Sequence, residues 1–240
     1  METQVELRLK QIDFYLMFWG KVGRSDLMRH NDIAIATASR TLKAYREQYP
    51  KNMSFDVSQR SYIASDSFKV RFDHNPDSAL RHLAYGIEER QLSSFKYGPA
   101  VVQEFMATLD AEITATITTA LVQQRGIEIN YISASSEAGK RNVIPQHIFS
   151  SQGGWYFRAY DQARKSYRNY KFSRVLSAEK QKLYDSKALP QDESWNTSIT
   201  LTLAPHQKHP HPEALRMDLG HRQTSVKHCN QCCYGRFCAI

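Results

Sequence analysis

Apolar residues recur at Val5, Leu9, Ile12, Leu16 and Trp19, at alternating spacings of four and three, and predict a helix with one buried face. Gly20 and Gly23 break that pattern. Ser25 is placed to cap a short second helix over Asp26 to His30, and Asn31-Asp32 marks a turn. A third helix is predicted from Ile35 to Gln48, with Ile35, Ala38, Leu42, Tyr45 and Tyr49 as its buried stripe and Pro50 as its stop. Its opposite face carries Ala36, Thr37, Arg40, Lys43, Ala44 and Glu47. Met53 to Val57 and Ser61 to Ile63 then read as a small hairpin around Ser58-Gln59-Arg60.

Further along, Asn75-Pro76-Asp77-Ser78 is a turn that opens a helix bearing Leu80, Leu83, Ala84 and Ile87. Tyr97-Gly98-Pro99 is a break. After it, Val102, Phe105, Leu109, Ile113, Ile117 and Leu121 predict one longer helix, stopping at Arg125-Gly126 as helix ends prefer. Then the period changes to two. Ile127, Ile129, Tyr131 and Ser133 share one face of a strand, Arg141 to Ile148 forms another, and Gly153 to Tyr160 and Tyr167 to Val175 make a hairpin around Asp161 to Ser166. At least four short strands after helices fit a small, strongly bent antiparallel barrel in an α+β chain.

Two segments carry chemistry. A short helix, a tight turn and a helix whose outer face starts with small residues and then shows Arg and Lys make a helix-turn-helix pattern. Small residues let such a helix sink into the major groove, where Arg40 reaches guanine edges and Lys43 a phosphate. The hairpin after it, with Arg60 near its tip, suits a wing laid along the backbone or minor groove. A three-helix packing module with an ordinary solvated face gives the same pattern. In the second segment, Trp155, Phe157 and Ala159 alternate with Tyr156, Arg158 and Tyr160, and on the next strand Arg168, Tyr170, Phe172 and Arg174 fall together. Arginines interleaved with tyrosines suit an anion that also carries flat rings. They equally suit a strand face where arginine stems cover apolar surface and the charges sit in water.

Charge sharpens the picture. The formal net charge is +8 over 240 residues. From Arg141 to Lys182 nine Lys/Arg face two acidic residues, a net +7, and residues 1–70 carry eleven against eight, a net +3. A basic balance fits a polyanionic partner such as nucleic acid. No run of eighteen apolar residues predicts a membrane span, and no basic-then-apolar leader predicts secretion, so a cytoplasmic home is expected.

Several motifs in fixed order carry a family resemblance. Trp155-Tyr156-Phe157, Arg158-Ala159-Tyr160, Tyr167-Arg168-Asn169-Tyr170, Ser173-Arg174-Val175, Asn130-Tyr131-Ile132-Ser133 and Pro145-Gln146-His147 resemble the pattern of WYL-domain transcriptional regulators. Ala36-Thr37-Ala38-Ser39-Arg40 and Ser25-Asp26-Leu27 resemble the helix-turn-helix of the BrxR/CapW-type repressors found beside phage-defence operons. The resemblance spans residues 5 to about 215. It implies a winged helix-turn-helix at 1–70, a helical connector at 71–125, an Sm-like WYL barrel at 126–190, and a partial C-terminal dimerisation module at 191–240. It implies a homodimer that binds an inverted repeat in double-stranded DNA and represses a defence operon. It also implies a nucleotide or nucleic-acid fragment as effector. The DNA-binding candidates are Arg24, Ser25, Ala36, Thr37, Ser39, Arg40, Lys43 and Arg60. By position, the effector candidates are Tyr131, Ser133, Arg141, Tyr156, Arg158, Arg168 and Arg174, although the two arginine-bearing strands need not face the same space.

Two departures from the family stand out. Ala34 sits where the family has Ser just before the third helix, and a lost cap costs about 0.5–2 kcal/mol unless Asp32 substitutes. The C-terminus then departs from the family after Asp218-Leu219-Gly220, and His221 to Ile240 has no apolar periodicity, so it reads as shortened or altered. All four cysteines, Cys229, Cys232, Cys233 and Cys238, fall in the last twelve residues beside His228. A zinc site normally brings two well-separated pairs, so this crowding favours a frayed tail over a metal or redox site. His206, His209 and His211 read as loop histidines between prolines. Neither cofactor nor metal is expected. The chain has no linked Ser/His/Asp set, paired carboxylate motif, phosphate-cradling glycine loop or HExxH, which puts an enzyme last. A single-stranded RNA-binding protein using the Tyr/Arg barrel face is the alternative to a DNA-binding repressor.

Overall fold

The computed structural model describes residues 3–85, 109–134, 138–151, 154–183 and 189–200, and the strands 203–205, 225–227 and 237–239. The backbone gathers into two compact units, Met1–Lys187 and Ala188–Ile240.

The first unit begins with α1, Gln4–Trp19. Thr3 and Glu6 cap each other reciprocally at its start, and Gly20 closes it in the left-handed conformation at φ 70°. A side chain at Gly20 would also run into Gln123 and Thr119 of a later helix, so both backbone and space call for glycine there. Strand β1, Lys21–Val22, follows, then α2, Arg24–Asn31, and α3, Ile35–Gln48. Ser25 does not cap α2. Gly23 is the cap residue, and Asp26 reaches back to accept from the Gly23 amide at 2.7 Å. Strands β2, Met53–Asp56, and β3, Ser61–Ala64, form the hairpin, and β1 adds to it in the order β1-β3-β2. This is a winged helix.

Leu9, Ile12, Leu16, Leu27, Ala38, Leu42, Tyr45 and Met53 make its core. Each fully buried Leu or Ile of this kind contributes about 1.5–3 kcal/mol relative to exposure. The stripe expected on α3 needs one correction: Ile35 is exposed and Thr41 is buried in its stead. Ile35 is the first residue of the helix, and the apolar phase there runs past its packing partners. Thr41 meets the cost of burial by donating to the Thr37 carbonyl at 2.9 Å.

Helix α4, Pro76–Tyr85, opens after Asn75, which accepts from the Asp77 amide. The positions expected to carry helix around Ile87, Pro99, Val102 and Phe105 lie outside the described residues. Helix α5 is Ala111–Gln123, not a continuous helix from Pro99. Asp110 caps it by accepting from the Ile113 amide at 2.8 Å, and Gln124, rather than Gly126, takes the left-handed turn at its end. Gly126 lies inside the next strand.

Five strands follow: β4 Arg125–Tyr131, β5 Gly139–Ser151, β6 Gly154–Asp161, β7 Ser166–Lys171 and β8 Val175–Leu183. They form one antiparallel sheet in the order β7-β6-β5-β4-β8. A 3-10 turn, Phe172–Arg174, joins the two edge strands. The expected barrel does not close: β7 and β8 remain edges of the sheet. β7 ends early because the Lys171 amide donates to the Tyr131 hydroxyl at 3.1 Å, and the Arg174 carbonyl accepts from the Ile132 amide. The core-facing side buries Ile127, Ile129, Tyr131, Val143, Trp155, Phe157, Ala159 and Tyr170, and Phe172 of the 3-10 turn joins them, with Leu80 of α4 and Ile117 of α5. The class is α+β.

In the second unit, Asp192 caps the single turn α6, Glu193–Asn196. Strands β9, Ser198–Thr200, and β11, Ser225–Lys227, pair antiparallel, as do β10, Leu203–Pro205, and β12, Phe237–Ala239. Thus the stretch after His221 that reads as shortened or altered contributes two short strands, and β12 takes in Cys238 of the tail expected to fray. Cys238 lies in β12 opposite Ala204. Cys229, Cys232, Cys233, His206, His209, His211 and His228 lie outside the described residues.

Candidate nucleic-acid interface and effector face

The turn between α2 and α3 is set by Asp32. It ends α2 in the left-handed conformation, its amide donating to the Met28 carbonyl at 3.1 Å, and so it does not substitute for the missing cap of α3. That cap position is Ala34, with no side-chain acceptor. The first turn of α3 therefore presents Ala34, Ile35 and Ala36 to solvent. Arg24, Ser25, Ala36, Arg40, Lys43 and Arg60 are exposed, while Thr37 and Ser39 are half-buried. Arg40 lies back along its own helix, Nε donating to the Ala36 carbonyl and Nη2 to the Thr37 hydroxyl, both at 3.4 Å. Lys43 sits 3.7 Å from Glu47, an exposed pair of little energetic weight that leaves the cation available. The structure thus brings Ala36, Thr37, Arg40 and Lys43 to one run of α3, with Arg24 and Ser25 on the preceding helix.

Arg60 stands at the hairpin tip in the left-handed region at φ 50°. The tip is held by Asp56, which accepts from the Ser58 amide at 2.7 Å, the Ser58 hydroxyl at 2.6 Å and the Gln59 amide at 3.1 Å. Those bonds hold the Asp56 carboxyl below its ordinary value. Ile35, read from the sequence as buried, is exposed, and so are Phe55 and Val57 of the hairpin, whose exposure the sequence reading did not single out.

A buried polar network fixes α3 against α1. Asp13 of α1 accepts from the Tyr45 hydroxyl, from the Arg71 amide at 2.9 Å and the Phe72 amide at 3.3 Å, and pairs with His74 Nε2 at 3.0 Å. Asn52 donates to the Tyr45 oxygen at 3.0 Å and to the Lys69 carbonyl at 2.8 Å. Burial first, and then the Asp13 carboxylate, push the Tyr45 phenol above its ordinary range.

On the sheet, cross-strand register decides which candidates meet, because directly paired residues share a face. Tyr156 pairs with Lys171 and Phe149, and Arg158 with Asn169 and His147. Tyr160 pairs with Tyr167 and Ile144. All of these lie on the side turned away from the core. There Phe149 stacks on Tyr156 at 5.5 Å and the Lys171 ammonium lies 5.7 Å from the Tyr156 ring centre. The Arg158 guanidinium lies 5.8 Å from the Tyr167 ring centre and donates to Asn169 at 3.0 Å. Arg158 is only 6 % exposed. Cations alternating with ring faces make a surface chemically matched to a flat-ringed anion.

Arg168 pairs with Ala159 and Arg141 with Ile129, so both start on the core-facing side, as Tyr131 does. Tyr131 is buried against Tyr170 at 5.0 Å. The expected alternation from Arg168 to Arg174 breaks at Lys171, where the 3-10 turn begins. Tyr170 and Phe172 enter the core beside Phe157, and Arg174 is exposed. Ser133 lies just past β4, next to Ile132, which bonds the Arg174 carbonyl. The seven effector candidates therefore divide between two faces. Tyr156 and Arg158 stand together, joined by His147, Phe149, Tyr160, Tyr167, Asn169 and Lys171, which the sequence reading did not choose. The hairpin register would have found them: a four-residue turn pairs Asp161 with Ser166 and so sends Arg158 and Arg168 to opposite sides.

Among the described residues no group of three or more His, Cys, Asp or Glu is arranged to hold a metal ion, and no helix is long and apolar enough to cross a membrane. Residues 4–83 match the BrxR transcriptional regulator winged helix-turn-helix domain, and residues 112–180 match the WYL domain. The DNA-binding transcriptional repressor CapW of Stenotrophomonas maltophilia is 30 % identical over 208 residues, covering 83 % of this chain and 69 % of that one. CapW of Pseudomonas aeruginosa is 29 % identical over 211 residues, covering 84 % and 69 %. CapW of Escherichia coli is 26 % identical over 208 residues, covering 84 % and 69 %.

Proposed function

Because the chain belongs to the CapW family of DNA-binding transcriptional repressors, we propose that α3 enters the major groove and that two copies of the chain read an inverted repeat upstream of a phage-defence operon. Arg40 reads a guanine edge, while Lys43 and Arg24 contact phosphates. Ser25, Thr37 and Ser39 bond the backbone or base edges, and Ala36 permits close approach. Arg60 lies at the adjoining backbone or minor groove. Recognition helices of a dimer must match half-sites about 34–36 Å, or a multiple, apart. The observation that carries this reading is the exposed run Ala36-Arg40-Lys43 on a helix whose other face is locked into the core by Leu42 and Tyr45.

The effector in this proposal is a nucleotide or nucleic-acid fragment held on the sheet, with Tyr156 and Arg158 as its main contacts. It releases DNA by binding a dimer geometry that no longer matches the half-sites, and it shifts affinity only by its differential binding to the two states. Tyr131, Ser133, Arg141, Arg168 and Arg174 form a second, separate group of candidates on the sheet's other side and rim. Repression places the protein in the cytoplasm with its DNA. A primary role on single-stranded RNA is not favoured, because the relatives are named as DNA-binding repressors.

The test is a gel shift with the purified chain and duplexes from upstream of its own gene. Arg40→Ala is expected to weaken specific binding by about fivefold to 150-fold, the worth of a good bidentate base contact. Tyr156→Ala, on the face proposed to hold the effector, is expected to spare DNA binding and impair effector response. An Arg40→Ala protein with unchanged operator affinity refutes the groove assignment. Preference for single-stranded RNA over any duplex refutes the repressor mechanism.

A further inference from the structure

Ile35 is 55 % exposed at the first position of α3, although the other large apolar side chains of that helix's inner face, Leu42 and Tyr45, are buried. Ala34 and Ala36 on either side of it are exposed too. Neither alanine carries a hydrogen-bonding side-chain atom, and the Asp32 backbone closes α2. The start of the helix is thus uncharged and apolar, while the exposed cations Arg40 and Lys43 lie further along α3 and Arg24 starts the preceding helix. A single exposed isoleucine is ordinary. This one stands at the N-terminal end of the helix proposed to enter the groove.

The cations match the phosphates of a duplex, and the start of the helix needs an apolar complement. In the major groove that complement is the 5-methyl group of thymine. Inside a helix, isoleucine is held mainly to one χ1 rotamer, so little further ordering is needed to make the contact. We infer that Ile35 is a specificity-determining residue that reads thymine through its 5-methyl group. The inference rests on α3 being the helix that enters the groove.

The experiment selects binding duplexes from a random pool with the full chain. Each thymine of the selected half-site is then replaced by deoxyuridine, which removes the methyl group and leaves every hydrogen-bonding atom in place. Wild type is expected to lose about fourfold in affinity at one or two thymines per half-site, the worth of one buried methyl group. Ile35→Ala is expected to bind thymine and uracil duplexes equally, and Ile35→Val to retain most of the discrimination. Identical thymine-to-uracil responses in wild type and Ile35→Ala overturn the inference. So does loss of self-association in Ile35→Ala by size-exclusion chromatography, which assigns Ile35 to a contact between copies. The groove reading fails separately: in that case no duplex is selected, or Arg40→Ala binds the selected duplex as wild type does.

Discussion

Changing Asp13 to Asn alters no shape and tests the polar network that holds α3. Asp13 is fully buried, His74 beside it is 3 % exposed, and four donors converge on the carboxylate: the Tyr45 hydroxyl on Oδ1, and the Arg71 amide, Phe72 amide and His74 ring on Oδ2. The asparagine amide has two orientations. With its oxygen toward the three donors, its NH2 faces Tyr45, whose oxygen already accepts from Asn52, so the phenol proton loses its acceptor. With its oxygen toward Tyr45, three donors face an NH2 group. The first orientation is cheaper. It orphans one buried donor, at about 1–3 kcal/mol, and turns three charge-assisted bonds into weaker neutral ones. The total comes to about 2–4 kcal/mol, a large share of a typical 5–15 kcal/mol stability. Urea unfolding of the full chain measures it, with hydrogen exchange at Arg71 and Phe72 as the local report. Tyr45→Phe removes the orphaned proton, so the double variant is expected to fall short of additivity by more than about 1 kcal/mol. A cost for Asp13→Asn below about 0.5 kcal/mol, or strict additivity, refutes this account.

Gly20→Ala is expected to cost at least about 1 kcal/mol from the left-handed backbone alone, and more from its contact with Thr119, which donates to the Met17 carbonyl at 3.2 Å; an unchanged urea midpoint would show that α1 and α5 are not packed there. The wing tip is expected to resist acid. Because the folded Asp56 value lies below the unfolded one near 3.9, its hydrogen bonds favour folding above that value and are lost only as pH falls through the depressed one. The Ser58 amide shift in an NMR titration is therefore expected to move with a midpoint below about 3.9, and a midpoint at or above it contradicts the bonded turn. Tyr170→Phe is expected to cost about 1–3 kcal/mol, since Tyr170 donates at 2.8 Å to the fully buried Asp161; thermal unfolding reads it, and a change within 0.5 kcal/mol, the scatter of ordinary surface substitutions, is the refuting result.

The limits of α1 and α3 were legible because periodicity and punctuation agreed: Gly20 and Pro50 stop helices whose apolar phase also ends there. Errors arose where periodicity continued without a partner, or where a cap used an unexpected residue. Ile35 keeps phase with Ala38 and Leu42 but lies beyond their packing. Leu109 keeps phase with Ile113, yet Asp110 starts a new helix between them. Gln124 shows that an ordinary residue can take the left-handed turn when a glycine two positions later looks better suited. The Asp13–His74 pair was invisible because 61 residues separate its members and neither belongs to a motif. The opposed directions of Arg158 and Arg168 follow from a parity in the hairpin that alternation within each strand does not reveal.

That parity bears on how the two halves of the first unit communicate in the proposed mechanism. Tyr156 and Arg158 face away from the core, so an effector there would touch β6 on the side opposite Trp155. Trp155 points inward and donates from Nε1 to Asp77 at 2.5 Å, at the start of α4. Three residues before Asp77 is His74, bonded to Asp13, and Asp13 holds Tyr45 of α3. Polar contacts thus run from the strand carrying the effector candidates to the helix carrying the DNA candidates. Spatial continuity alone is no proof of coupling, which needs an element with two arrangements that both ligands bias. The most economical such element is the segment Arg71 to Asp77, which is anchored to Asp13 at one end and to Trp155 at the other. In that mechanism a shift of β6 that moves Trp155 reaches α3 through these hydrogen bonds and through the packed core that Trp155 shares with Leu80 of α4. The buried carboxylate at Asp13 is where that segment joins α3, since it accepts from the Arg71 and Phe72 amides and pairs with His74 on one oxygen and accepts from Tyr45 of α3 on the other.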